Sequence, residues 1–388
     1  MIGISTKKNI VLCWADKSVE DGALKQLTNA AEHPCVDKPV VACPDVHTGY
    51  GVPIGCVLPV SAALIPNAVG VDIGCSMSAC KTNIRASEVE RSTLEDIVSV
   101  IRKNVPTGYS HHSTPQKHKI FDEPERWNAC AICSQEYESA QYQLGTMGGG
   151  NHFIEFQESD DGFLYYMIHS GSRNLGFKVG NYYNEVASNL CHRWRQDRVV
   201  EDKLAFLPYG CAEYDNYLKE MNLCLDFAHA NHEIMKQVIE FTLTSHLPGV
   251  RFEKHWYTRH NYASIENFNG LNLIVHRKGA ICVRKGMEQI IPGSQGTASY
   301  IVKGLGNDKS YCSASHGAGR VMSRKEARHS LSLKSEKDKM KGIIHNLDTV
   351  DRLDEAPSAY KDIDVVLAQE SDLVTPIIKL KPMAVIKE

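Results

Sequence analysis

The most reactive-looking residue of this chain is a histidine set among small neighbours. In Ser313-Ala314-Ser315-His316-Gly317-Ala318-Gly319-Arg320-Val321-Met322-Ser323-Arg324 nothing bulky crowds the imidazole, and glycines and arginines follow it. Small neighbours admit a large charged group, and glycine lets backbone N–H groups turn toward it. Arginine adds a forked, permanently charged donor suited to phosphate. Taken alone, the segment fits two readings: a tight turn, or a histidine nucleophile acting on a phosphate ester.

Metal-ligand residue types recur in other loops. Pro44-Asp45-Val46-His47 precedes Gly49 and Gly51, and the run from Asn67 to Cys75 sets Asp72 and Cys75 three apart beside Gly74. Gly148-Gly149-Gly150 leads into Asn151-His152-Phe153-Ile154-Glu155, where consecutive glycines suit a close backbone approach to a ligand. His169 ends an apolar run, and His260 stands in the polar stretch Arg259-His260-Asn261-Tyr262. Asp72, Cys75, His152, His169 and His260 together could hold two divalent metals, with the Cys75 thiolate bridging. Imidazole and carboxylate suit Mn²⁺ or Fe²⁺, while thiolate with histidine also accepts Zn²⁺ or Co²⁺, so spacing leaves the metal open. Cys130-Ala131-Ile132-Cys133 has no second pair at matching spacing and reads as structural. His229 and His232 share a helix face without an evident third ligand and read as ordinary helix-surface histidines.

These residues need elements to position them. β-Branched runs bounded by turn residues predict strands at Val40–Cys43, Val52–Val60, Phe163–Ile168, Leu271–His276 and Ser299–Val302. Phe153–Phe156 and Phe163–Ile168, joined at Asp160-Asp161-Gly162, predict a hairpin that brings His152 and His169 to one end. Helices are expected at Val19–Ala31, Ser87–Asn104 and Cys211–Leu243. The last has Leu218, Met221, Leu225, Ala228, Met235 and Val238 or Ile239 at helical spacing. The fold class is α+β with much loop. Functional-looking segments run from Pro44 to the last residues, so a single composite domain over 1–388 is expected, with 181–246 mainly helical.

The 388 residues are 43% hydrophobic and 23% charged, which describes a globular chain and not a disordered one. No apolar run approaches the roughly 20 residues of a membrane span. The N-terminus lacks a signal-peptide pattern, and thirteen cysteines, an odd number, fit a reduced cytoplasmic setting better than a disulfide framework. The net charge of −3 advertises no nucleic acid, yet Lys303 to Lys341 carries ten Lys/Arg against four Asp/Glu. Its last part, Ser332 to Lys341, reads as a solvated helix face.

Taken in order, these segments resemble the RtcB family of RNA ligases. The resemblance rests on P-D-V-H at Pro44, N-A-V-G-V-D-I-G-C at Asn67, G-G-G-N-H-F-I-E at Gly148 and H-S-G-S-R at His169. It continues through H-N-Y-A at His260, H-R-K-G-A at His276, I-P-G-S-x-G-T-A-S-Y-I-V at Ile291, S-H-G-A-G-R-x-M-S-R at Ser315 and A-Y-K-D-I-D at Ala359. It spans nearly the whole chain from about Val11. The family implies mixed and antiparallel sheets around a metal-lined cleft, with peripheral helices. It also implies an enzyme that joins RNA 3′-phosphate or 2′,3′-cyclic phosphate ends to 5′-hydroxyl ends with GTP and two Mn²⁺ ions. Carried over by position, His316 becomes the nucleophile that takes up GMP, and Asp45 orients it. One metal falls to Cys75, His152 and His169, the other to Asp72, Cys75 and His260. Asn151, Glu155, Ser294, Ser299, Ala318, Gly319 and Arg320 match nucleotide contacts. Lys387, in Leu380-Lys381-Pro382-Met383-Ala384-Val385-Ile386-Lys387, matches a near-terminal lysine that reads guanine. Arg173 and Lys278 are candidates for the RNA phosphate. Partners implied are RNA ends and an archease-type activator, with a monomeric chain.

Three positions depart from the family pattern. Tyr50 replaces a basic residue between glycines, Ser76 a glycine, and Gln295 a methionine. An aromatic Tyr50 can stack on an unpaired base. The departures point to a divergent bacterial-type paralogue, devoted to RNA repair and not tRNA splicing. Two other classes stay open from the sequence: a two-metal phosphoesterase that trims RNA ends without joining them, and a non-catalytic RNA-binding paralogue.

Overall fold

The β-branched runs pair into two large sheets. The computed structural model describes residues 1–16 and 19–388. One sheet has six strands in the order Ile2–Ser5, Ile10–Cys13, Val40–Tyr50, Val52–Val60, Leu271–Lys278, Asn261–Phe268. The other has seven, in the order Phe252–Arg259, Ser76–Arg85, Phe163–Ser170, Phe153–Ser159, Val374–Ile386, Ser299–Gly304, Glu288–Ile291. All neighbouring strands pair antiparallel except Ile10–Cys13 with Val40–Tyr50. The fold is therefore mixed α+β, as the sequence predicts.

Register in the seven-stranded sheet does the positioning. Ser76 pairs with both Ser170 and Arg259, Phe153 pairs with His169, and Ile386 pairs with Ile154. Five successive strands thus bring His260, Cys75, His169, His152 and Lys387 to the same end of the sheet. A one-residue slip of any strand would turn its ligand to the opposite face. The expected Phe153/Phe163 hairpin is present and runs longer than read, as Phe153–Ser159 and Phe163–Ser170.

The two sheets meet at His260 and Asn261, where the chain leaves one ladder and enters the other. The His260 N–H donates to the Cys75 carbonyl at 3.1 Å, the Gly74 N–H to the Asn261 carbonyl at 2.9 Å, and the Ala280 N–H to the His260 carbonyl at 3.2 Å. Ala280–Cys282 then pairs with Ser313–Ser315, which delivers His316 to the same place.

Helices brace this frame. Asp21–Ala31 starts two residues later than expected, and the Ser87–Asn104 stretch divides into a single turn at Ala86–Glu88 and a helix at Arg91–Asn104, because Glu90 is extended. Ala212–His246 is the longest helix and buries Met221, Leu225, Ala228, Met235 and Ile239 as the spacing predicts. Its Glu220 carboxylate accepts the N–H groups of Ala131, Ile132 and Cys133 at 2.8–3.0 Å and the Tyr183 hydroxyl at 2.9 Å. That contact folds the Cys130–Cys133 loop, whose structural reading stands. Leu333–Lys339 is the solvated helix expected near Lys341. No helix among the described residues is long and apolar enough to cross a membrane.

Two carboxylates give tests of this frame. Glu220→Ala leaves three N–H groups without their acceptor, each costing roughly 1–3 kcal/mol where buried. Urea unfolding should show a loss of about 3 kcal/mol or more. Glu370 is fully buried, and its Oε2 accepts the Ser315 N–H at 2.9 Å, next to His316. Burial, with Asp45 nearby, lifts its carboxyl from the ordinary 4.5 to about 8. The folded state therefore keeps a proton that the unfolded chain releases. Stability from this group is complete below pH 4.5 and declines up to about 8, by up to roughly 1.4 kcal/mol per pH unit. Glu370→Gln should flatten that part of the unfolding free-energy profile against pH; an unchanged slope refutes the assignment.

Candidate active site and metal centre

Asp45 lies on Val40–Tyr50, fully buried, and its Oδ2 accepts both the backbone N–H of His316 at 3.1 Å and the ring Nδ1–H at 2.7 Å. A carboxylate only accepts, so in the neutral ring Nδ1 carries the proton and Nε2 keeps its lone pair. Gly319 makes the approach possible. Its φ is +73°, and a Cβ there would come within 2.2 Å of the Asp45 carbonyl oxygen. Lys361 holds the Asp45 strand from behind, donating to the carbonyls of Pro44 at 3.0 Å and Val46 at 2.7 Å. Of the two readings of the His316 segment, a built imidazole–carboxylate pair is what the fold presents.

Beside it stand the five candidate ligands. Cys75 Sγ lies 3.4 Å from His152 Nε2 and 3.2 Å from His169 Nε2, and His152 Nε2 is 3.6 Å from Asp72 Oδ2. The rings of His169 and His260 are 5.2 Å apart, and those of His260 and His316 4.9 Å. Two compact triads result: Cys75 with His169 and His260, and Asp72 with Cys75 and His152. Cys75 belongs to both. The histidines divide differently from the split that the resemblance implies, because Asp72 sits against His152 and His260 against His169. Burial pushes the Cys75 thiol well up and holds His169 and His260 well below the usual imidazole range. Nδ1 of His152 and of His260 is buried with no hydrogen-bond partner among the described residues. Buried thiol, imidazole and carboxylate donors grouped this closely fit a pair of divalent cations.

A cleft of about 790 Å³ opens over these groups. Asp72, Cys75, Asn151, Glu155, His169, His260, Lys278, Ser294, His316, Ala318, Gly319, Arg320 and Lys387 all line it. Asp45 and His152 stand behind this wall. Ser299 is not on it: its Oγ accepts the Gly293 N–H at 3.2 Å and shapes the turn that presents Ser294. Arg173 is also drawn back. It donates to Thr146 Oγ1 at 3.0 Å and to the Gly108 carbonyl at 2.9 Å. Lys278 Nζ is enclosed by the carbonyls of Tyr50, Val52 and Asn67 at 2.5–3.4 Å, and burial lowers it to about 8. The glycine run 148–150 also makes room for the chain itself. At Gly148, where φ is +95°, a Cβ would fall 2.1 Å from Arg173 Nη1.

The far end of the cleft is an ion cluster that the sequence did not flag. Buried Glu355 meets Lys387 Nζ at 2.9 Å and Arg320 at 3.4 Å, pairs with Arg324, and accepts the Tyr360 hydroxyl at 2.6 Å. Burial alone would raise its carboxyl, but Lys387 and Arg324 outweigh that and bring it to about 2. Arg324 and Arg328 also reach Asp354, at 2.9 Å each, so these arginines of the basic segment are internally paired. Glu155 has a different environment: burial lifts it to about 8, against Gln157 and Lys387. The missed residues left a trace, since Asn261 and Tyr360 fall inside H-N-Y-A and A-Y-K-D-I-D. Glu355 lies just outside the latter.

The departures and the helix histidines also find their places. Tyr50 is 60% exposed at the mouth of the cleft. Gln295 Nε2 donates to the Glu355 carbonyl at 2.6 Å. Ser76 Oγ contacts His232 Nε2 at 3.2 Å, and Ser78 Oγ contacts its Nδ1 at 2.8 Å. His229 is exposed as expected, but His232 is not a surface histidine. It is buried because the helix packs that face onto the strand following Cys75.

Comparison with known proteins agrees with the motifs. The family model described as tRNA-splicing ligase RtcB matches residues 26–388. The RNA-splicing ligase RtcB of Escherichia coli (strain K12) is 36% identical over 407 aligned positions, covering 99% of this chain and 98% of the relative. The tRNA-splicing ligase RtcB of Nanoarchaeum equitans is 31% identical, covering 96% and 93%. The RNA-splicing ligase RtcB homolog 2 of Entamoeba dispar is 29% identical, covering 94% and 83%. With a family model over nearly all of its length, and the motif residues gathered around one cleft, this chain belongs to the RtcB family.

Proposed function

We propose that the chain is an RNA ligase working as one composite domain, joining 3′-phosphate or 2′,3′-cyclic phosphate ends to 5′-hydroxyl ends with GTP. The observation that carries this reading is the Asp45–His316 contact, which leaves Nε2 free beside two triads that share Cys75. Asp72, Cys75, His152, His169 and His260 would hold two Mn²⁺ ions, which would supply charge neutralisation and alignment for phosphoryl transfer. The His316 Nε2 lone pair attacks the α-phosphorus of GTP. A P–N bond forms, the bond to the β-phosphate oxygen breaks, and pyrophosphate leaves. The ring becomes cationic, and Asp45 stabilises that charge as a carboxylate does in a catalytic triad. An oxygen of the RNA 3′-phosphate then takes the GMP, breaking the P–N bond. The 5′-hydroxyl finally attacks the activated 3′-phosphate and displaces GMP.

Other side chains have roles suited to their surroundings. Lys387 and Glu155 flank the guanine edge, and Asn151, Ser294 and the Ala318-Gly319-Arg320 backbone surround ribose and phosphate. Lys278, whose ammonium is shared among three carbonyls, acts on the RNA phosphate indirectly by fixing the loop at Tyr50, and Arg173 does so by holding Thr146 and Gly108. Tyr50 stacks on the last unpaired base of an incoming end. A phosphoesterase needs no group to read a purine edge, and the Lys387 and Glu155 pair offers one, so ligation with GTP fits the site better.

With α-labelled GTP and Mn²⁺, the chain should form an acid-labile GMP adduct that His316→Ala abolishes. An adduct surviving that substitution refutes the mechanism. Asp45→Asn should slow adduct formation on the order of 10³–10⁴-fold, because the ring loses its orienting acceptor. Peroxide oxidation of Cys75 to the sulfinic acid should release bound metal and stop adduct formation together. Full activity with Cys75 quantitatively oxidised, as read by mass spectrometry, contradicts the bridging role.

A further inference from the structure

A second group of metal-ligand types stands on the same strands, away from the cleft. Cys80 on Ser76–Arg85 and His255 on Phe252–Arg259 are direct cross-strand partners, so their side chains share one face of the sheet. The helix Ala212–His246 crosses that face and contributes Glu240. Cys80 Sγ is 3.9 Å from His255 Nε2, and His255 Nε2 is 3.7 Å from Glu240 Oε1. All three ligand atoms lie within 4.8 Å of one another.

These separations are informative. A ring nitrogen 3.7 Å from a carboxylate is too far for a hydrogen bond, and 3.9 Å is the far limit for a thiol contact. The edges of a tetrahedron around Zn²⁺ are roughly 3.4–3.6 Å, from metal–ligand lengths of about 2.3 Å to sulfur and about 2.0–2.2 Å to nitrogen and oxygen. Two edges of the triad are therefore within a few tenths of an ångström of such a site, and the third, Cys80 to Glu240, is no longer than 4.8 Å. Cys80 is buried, Glu240 is half-buried, and the His255 side chain is 40% exposed, so an ion can enter and a water can take the fourth corner. The surroundings are suited to a cation. Glu240 Oε1 is held by the Tyr166 hydroxyl at 2.7 Å, as an outer partner that orients a ligating carboxylate. Lys236 Nζ stands 3.9 Å from the same oxygen and would yield to the ion. The Cys130–Cys133 loop offers no such opening, because the Glu220 carboxylate is engaged by three backbone N–H groups and Tyr183.

We infer that Cys80, Glu240 and His255 form a zinc-class divalent metal site, separate from the cleft, that clasps the long helix to two strands. The location gives it a use. Those strands end at Cys75 and His260, five residues farther along, or about 16 Å at the usual rise per residue. An ion here fixes the register that brings both residues to the cleft. On binding, the Cys80 thiol releases its proton to solvent.

The test counts metal on the full-length protein. After equilibration with Zn²⁺ and removal of loosely bound ions, the wild-type chain should hold one equivalent more than Cys80→Ser and than His255→Ala. A parallel Co²⁺ titration in a Cys75→Ser background removes the thiolate signal of the cleft. A near-ultraviolet thiolate-to-cobalt band should remain there and vanish in Cys75→Ser/Cys80→Ser. His255→Ala should weaken binding beyond the roughly 10–100-fold cost of losing an outer partner. Equal zinc content in wild type and Cys80→Ser overturns the inference. So does a cobalt band that persists without Cys80, or one that disappears with Cys133→Ser instead.

Discussion

The site depends on burying Cys75, His152, His169 and His260 together at the end of one sheet. Desolvation opposes charge on Cys75, His169 and His260, which keeps that thiol protonated and those two imidazoles neutral. Such a group is poorly solvated and, by itself, poorly satisfied; Nδ1 of two of its rings has no partner among the described residues. Only the ladder holds it together. Antiparallel pairing across Phe252–Arg259, Ser76–Arg85, Phe163–Ser170 and Phe153–Ser159 sets each ligand one strand spacing from the next, about 4.8 Å. From that spacing the side chains lean together, and the donor atoms of Cys75, His152, His169 and Asp72 come within 3.2–3.6 Å of a neighbour.

The His316 side of the cleft is built on the opposite principle. Asp45 and His316 come from different elements and gain their contact from a close backbone crossing, with Gly319 lying against the Asp45 carbonyl. A buried carboxylate with a single polar neighbour would be costly, but Oδ2 here accepts two N–H groups and Lys361 draws in the flanking carbonyls. The link between the halves is the passage through His260 and Asn261, where each sheet's hydrogen bonds continue into the other's. A ligand and the neighbour of the nucleophile are thus fixed by the same few peptide groups.

Much of this was legible in the sequence, for reasons that can be named. His152 and His169 were expected together because a hairpin with a short acidic turn has only one register that keeps its apolar face buried. The long helix was legible from its period. What stayed hidden is whatever depends on contacts between distant elements. His232 has the spacing of a surface histidine, and only the docking of its helix onto Ser76 and Ser78 buries it. Glu355, Glu370 and Glu220 look like ordinary acidic residues of loops and helices. They become decisive because cations, a lone N–H or a nest of N–H groups meet them in space. Lys278 and Arg173 show the converse. Their types fit phosphate, and the fold spends their donors on backbone carbonyls and Thr146.

The Glu355 end of the cleft shows how charge can be arranged without a net field. Lys387 follows the last strand of the chain, one residue past Ile386, and would otherwise be a solvated end residue. Glu355 holds it, and in turn is held ionised by Arg320, Arg324 and Lys387. A few ångströms away Glu155 is kept protonated by burial. Two carboxyl groups of the same type therefore enter the pocket in opposite states, one fixed as an anion by its cations and one poised near neutrality by its surroundings. A purine edge that offers both donors and acceptors can be met by such a pair without bringing a bare charge into the cleft. The overall charge of the chain has little bearing on this selectivity, because the fields that matter are set within single hydrogen-bond distances.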